Sequence, residues 1–203
     1  MADGRPRLDE EDDEPQEKHP RGPKGLEDRL LKSRTVTLFE PITPRSSRRV
    51  VTSLLVLEAE DAKAPITLLV NSPGGSVDDG FAMYDAMRFV QCPVRVVCVG
   101  LAASAANIVL LGAKKGSRFA LPNTRILLHQ PSTGAAGQAS DLAITAREIL
   151  KTRARLNELL ATETRQKPER IEEDTNRDFW LSAEEARGYG LIDKVVAKRA
   201  DID

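Results

Sequence analysis

Ser104 stands in the stretch "CVGLAASAANIVLLGA", after one apolar run and at the start of another. A serine hydroxyl attacks a carbonyl only when a positioned base removes its proton, and an acid must then hold that base in the right tautomer. The chain has two histidines. His19 lies in a charged leading segment, which leaves His129 as the partner for Ser104. Two acids downstream suit the third role, Asp174 and Asp178 in "EEDTNRDFW", the second adjoining the apolar pair Phe179 and Trp180. An oxyanion would need backbone N–H donors aimed at one point. Gly74 and Gly75 can expose amides with no side chain in the way, and Ala105, at a helix start, offers another. Taken singly, each residue has a plainer use. Ser104 can be a helix cap, Ser-Pro-Gly-Gly a turn, His129 a hydrogen-bonded core residue, and Asp178 a surface acid. A serine hydrolase requires that they reach one place.

Three short apolar runs can bring them there. Residues 66–70 (ITLLV) end in Asn-Ser-Pro-Gly-Gly, residues 94–99 (VRVVCV) lead into Gly-Leu-Ala-Ala-Ser104, and residues 125–129 (RILLH) end at His129. Their starts lie about 30 residues apart, with helical sequence between at least the first two, which predicts βαβ or ββα units around a buried sheet. Open α/β sheets bind ligands at the carboxyl ends of their strands, so all three groups fall on one rim. Residues 35–39 (TVTLF) read as a further strand. Apolar residues at 50, 51, 54, 55 and 57 predict a helix. A long helical pattern from Asp141 to about Arg165 suggests an element projecting from the body. Ser182 followed by Glu185 predicts a capped helix that stops at Gly188 or Gly190, and residues 191–196 read as a final strand.

The 203 residues suit one domain with a substantial core. With 30 basic and 31 acidic residues, nothing points to nucleic acid. No zinc-type Cys/His spacing suggests a metal, and no apolar stretch approaches the ~20 residues that span a bilayer. Cys92 and Cys98 lie in or beside an apolar run and read as buried thiols in a reducing, cytoplasmic compartment. Residues 1–25 have no aromatic and no β-branched residue, and seven of the nine residues from 9 to 17 are acidic. That composition predicts a disordered acidic tail, either simply solvated or serving as a propeptide or docking arm, before a folded domain over 26–203.

The ordered series "NSPGGSV", "GLAAS", "LPNTRILLHQPSTGAAGQASD" and "DTNRDFWLSAEEARGYGLIDKVV" resembles the proteolytic subunit of the Clp protease, the ClpP family, over roughly residues 26–196. The resemblance implies an α/β, crotonase-like ClpP fold of repeated ββα units, with a protruding helix–strand handle at about 131–165. It implies Ser104 as nucleophile, His129 as general base, Asp178 rather than Asp174 as the acid, and the Gly75 and Ala105 amides as the oxyanion hole. Extended substrate would run along Gly74, Ser76, Val77, Pro131 and Ser132. The implied reaction is endopeptidase cleavage of unfolded polypeptides inside heptameric rings stacked in pairs, fed by an AAA+ unfoldase. ATP would be bound by that partner and no cofactor by this chain, which has no G-x-x-x-x-G-K-[ST] motif. Ala105-Ala106 replaces the family's usual Met-Gly. Thr67 and Leu69 stand where tyrosines frame the unfoldase pocket, leaving Phe89 and Phe119 to line it. Asn176 replaces the acid of an Asp/Glu-Arg pair, with Arg177 kept. Two other readings share this fold: a non-catalytic ring subunit partnering an active paralogue, and a crotonase-type acyl-CoA enzyme, which needs no Ser/His/Asp set.

Overall fold

The apolar runs at residues 66–70, 94–99 and 125–129 form strands of a single seven-stranded sheet. A computed structural model of the chain describes residues 25–131 and 137–202. The predicted acidic tail up to residue 24 and Ser132 lie outside the described residues. The elements in order are α1 (Leu26–Lys32), β1 (Thr35–Leu38), α2 (Pro44–Glu60), β2 (Ile66–Ser72), α3 (Val77–Phe89), β3 (Val94–Ala103), α4 (Ala106–Gly112), β4 (Arg118–Ala120), β5 (Arg125–Leu128), α5 (Ala139–Thr164), α6 (Pro168–Thr175), β6 (Phe179–Ser182), α7 (Ala183–Tyr189) and β7 (Lys194–Val195), closed by a 3-10 turn at Arg199–Ile202. Strands run in the order β1-β2-β3-β4-β7, with β5 also against β3 and β6 against β5. All pairs are parallel except β5–β6. The result is a mixed α/β fold whose parallel strands are joined by helical crossovers.

Strand β3 does more than its apolar run predicts. It continues past Val99 through Gly100 to Ala103. Val70 of β2 pairs with Cys98 but Ser72 pairs with Ala102, so β3 carries extra residues at this point. Gly100 takes φ 82°, a conformation that suits glycine and bends the strand. Before the bend β3 pairs with β4 over Val96–Cys98; after it, Leu101–Ala103 pairs with β5. The bend therefore hands the end of β3 from one neighbour to the next and carries Ser104 towards β5. Immediately beyond, every residue of α4 is buried.

Local signals explain several boundaries. Thr43 caps α2 and exchanges hydrogen bonds with Ser46, and Pro44 fills the first turn. Ser182 and Glu185 form the predicted capping box, and of the two glycines Gly190, at φ 94°, ends α7. The final strand is shorter than predicted. Leu191 and Ile192 are buried without strand pairing, and the Asp193 carboxylate instead accepts from the amides of Gly116 (2.7 Å) and Arg118 (2.9 Å).

The long helix α5 buries side chains only towards its C-terminal end. In α5 the buried residues are Leu160 and Thr164, both in its last two turns. A charged cluster ties that end to the body. Arg118 of β4, only 1% exposed, donates to the carbonyls of Ala113 (2.8 Å) and Leu111 (3.0 Å) and forms a short ion pair with Glu163. Glu163 also pairs with Arg88 of α3 at 2.9 Å and accepts from the Tyr84 hydroxyl at 3.3 Å. Among the described residues, no helix is long and apolar enough to cross a membrane.

Candidate active site

Strands β2, β3 and β5 are parallel and deliver their carboxyl ends to one rim. Ser104 follows Ala103 at the end of β3, and its amide donates to Leu127 O of β5 at 3.0 Å. Its backbone takes φ 55°, a left-handed conformation costing serine about 1–2 kcal/mol. That turn holds the Ser104 side chain at the mouth of a cavity, where it stays partly exposed.

His129 is the residue after β5 and Asp178 the residue before β6. In the antiparallel β5–β6 ladder Leu128 pairs with Phe179, so His129 and Asp178 sit at the next rung. His129 Nδ1 lies 3.9 Å from Asp178 Oδ1, longer than a hydrogen bond, and the Asp178 side chain is 67% exposed. Among the described residues the Ser104 hydroxyl and His129 share no hydrogen bond, although both line the same cavity. Such contacts often tighten only when substrate binds. The other candidate acid is engaged elsewhere. Asp174 Oδ2 accepts from the Tyr189 hydroxyl at 2.8 Å and from Arg170 at 3.4 Å. Burial, and then that carboxylate, hold the Tyr189 phenol well above its ordinary range. Gln130, next to His129, donates to Thr175 O (2.7 Å) and Asn176 O (3.1 Å), fastening the loop that leads to Asp178.

Gly74 passes close against Ser104, and Gly75 against Ile42. Ile42 flanks them as a short parallel strand partner, donating to Gly74 O and accepting from Ser76 N. A Cβ on Gly74 would stand 2.7 Å from Ser104 Cβ and 2.5 Å from Ala103 O; one on Gly75 would stand 2.3 Å from Ile42 O. Only glycine allows this approach. Among the described residues the amides of Gly75 and Ala105 have no acceptor, and both are free to hold an oxygen. Gly74→Ala is expected to displace the Ser104 turn. A serine-directed fluorophosphonate should then react at least ~10-fold more slowly, with stability lower by about 1–3 kcal/mol in urea unfolding.

Val77 and Pro131 also line the cavity, and Ser76 caps α3 at its edge. Two helices contribute lining residues not anticipated from sequence. Leu156, Asn157 and Leu160 reach the cavity from the base of α5, which the sequence presents only as a projecting element. Asn107 lies in a run that reads as apolar, and a lone amide in a wholly buried helix is the signal that marks it. Cys98 is buried, and burial pushes its thiol up to about 12, so it is no rival nucleophile at neutral pH.

A second surface lies on the opposite part of the sheet. An apolar groove is lined by Leu30, Phe39, Leu69, Val99, Leu121 and Ile202, among others. Of the aromatics expected there, Phe119 is buried in a cluster with Val97 and Val196, and Phe89 is 79% exposed at the end of α3, away from the groove. Against models of protein families, residues 23–199 match the one described as Clp protease.

Proposed function

The chain belongs to the Clp protease family, a family of peptidases, and from that premise we propose that it is a serine endopeptidase acting through Ser104, His129 and Asp178. The observation that carries this reading is the convergence of β3, β5 and β6, whose ends bear these residues at one rim beside two free amides. Ser104 Oγ attacks the scissile carbonyl carbon as His129 Nε2 accepts the hydroxyl proton. Asp178, beside Nδ1, favours the tautomer that leaves Nε2 free and stabilises the imidazolium. The Gly75 and Ala105 amides hold the oxyanion of the tetrahedral intermediate. Collapse of that intermediate breaks the C–N bond, and the leaving amine takes the proton from His129. Water, deprotonated by His129, then releases the acyl group and regenerates Ser104.

Substrate is an extended polypeptide lying along Gly74, Ser76 and Val77 on one side and Pro131 on the other. Ile108, Leu128 and Leu156 make the wall of the cavity beside Ser104 largely apolar. The fold would be the crotonase-like ClpP fold with repeated ββα units, and α5 the handle through which heptameric rings stack. Exposed Ile144 and Leu150 on α5 support such a contact. An AAA+ unfoldase would dock its apolar loop in the groove around Phe39 and Leu69 and would itself bind the ATP. Buried Cys92 and Cys98 suit a reducing, cytoplasmic setting.

The test uses the purified full chain, fluorogenic peptides and a fluorophosphonate. Label is expected on Ser104 by peptide mass, with cleavage after apolar residues preferred over acidic ones by about tenfold or more. The absence of both label and cleavage would sink the reading. The 3.9 Å His129–Asp178 separation favours one alternative, a ring subunit that scaffolds an active paralogue. Activity that arises only on adding a second subunit, with no label on Ser104, would support it.

A further inference from the structure

We propose that Asn107 is a positioning residue that fixes the turn bearing Ser104 against the strand bearing His129; this rests on the serine-peptidase reading above. Asn107 lies in the first turn of α4 and is 3% exposed. Its Nδ2 donates to two carbonyls, Ser104 O at 3.1 Å and Leu127 O at 2.8 Å. Its backbone N–H donates to Ser104 O at 3.0 Å, and the Ser104 N–H donates to Leu127 O at 3.0 Å. Four hydrogen bonds thus close a ring through three residues. On one side is the nucleophile's turn. On the other is β5, two residues before His129.

The carboxamide is held for its donors. Both groups facing Nδ2 are carbonyls, which only accept, so the amide orientation is fixed by chemistry. The Oδ1 atom is buried and has no partner among the described residues. An unpaired buried acceptor lowers stability, and alanine would suit a buried helical turn better. The asparagine is therefore unfavourable for the fold in one half and useful in the other. Ser104 has a matching need. Its φ of 55° persists only if the surroundings over-determine it, and the Asn107 donors fix the peptide that follows.

Loss of this bridge lets the Ser104 turn move relative to His129 without altering the apolar wall of the cavity. The effect falls on the chemical step rather than on substrate binding. The experiment compares wild type, Asn107→Ala and Asn107→Ser as full chains. Active sites are counted by exhaustive fluorophosphonate labelling, and kcat and KM for a fluorogenic peptide are expressed per labelled site. Asn107→Ala is expected to lower kcat per site and the labelling rate together, by about 10–100-fold, with KM within about threefold. Asn107→Ser keeps a hydroxyl able to bond Ser104 O within the turn but too short to reach β5, and should fall between. Unchanged kcat per labelled site in Asn107→Ala overturns the proposal, including where fewer sites label, since that is a folding effect. Should the alanine variant not fold, the serine variant decides by the same criterion. A wild type that neither labels nor cleaves overturns the peptidase reading itself, and this role with it.

Discussion

Ser104→Ala protein is expected to fold like wild type and to lose peptide hydrolysis by about 10⁴-fold or more. The loss is large because the acyl-enzyme cannot form, while the amides and cavity keep only their weaker contributions. The fold should tolerate the change. Among the described residues the Ser104 hydroxyl makes no hydrogen bond, so its removal orphans no partner. The amide bond to Leu127 O belongs to the backbone and remains. Alanine meets much the same strain as serine at φ 55°, so stability should change by less than about 1 kcal/mol. Hydrolysis per milligram, intact mass after fluorophosphonate treatment and urea unfolding together check all three statements. An alanine variant that hydrolyses at the wild-type rate would falsify the nucleophile assignment.

Glu163→Leu should be the most damaging single change away from the site, lowering stability by about 3–5 kcal/mol. It strips the countercharge from Arg118, whose guanidinium is almost wholly buried on β4. The remaining acceptors, Leu111 O and Ala113 O, are neutral carbonyls, and Nη1 already has no partner. The same change removes the partner of Arg88 and the acceptor of Tyr84, which contribute less because they are more exposed. An Arg118→Met/Glu163→Leu double variant should recover most of the loss, since an apolar pair of similar volume leaves only the more exposed Arg88 without its carboxylate. Urea unfolding at fixed protein concentration reads both. A single variant as stable as wild type would show that the cluster does not hold α5 to the body.

What the sequence makes legible depends on how local the cause is. The runs at β1, β2 and β5 are aliphatic or β-branched and bounded by turn residues, so they read as strands unaided. The Ser182–Glu185 box and Gly190 mark α7 almost to the residue. The shared rim of the Gly74 turn, Ser104 and His129 also follows from local pattern, because parallel strands must end alike. Non-local causes stay hidden. Strand β4 has three residues, one of them Arg118, whose burial depends on a glutamate far along the chain. Asn71-Ser72 and Gly100 look like strand ends, yet β2 and β3 continue through them because neighbouring strands extend that far. Helices α1 and α6 are short, and strand β6 is an edge with Trp180 half exposed. Spacing within residues 172–180 leaves Asp174 and Asp178 open, the resemblance implies Asp178, and the β5–β6 pairing sets Asp178 near His129.

Synthesis delivers the last parts of this sheet late. Strand β6, which closes β5, and β7, which covers β4, both come after the other five strands in chain order. The outer edges of β5 and β4 therefore stay open during synthesis until β6 and β7 have emerged to pair with them.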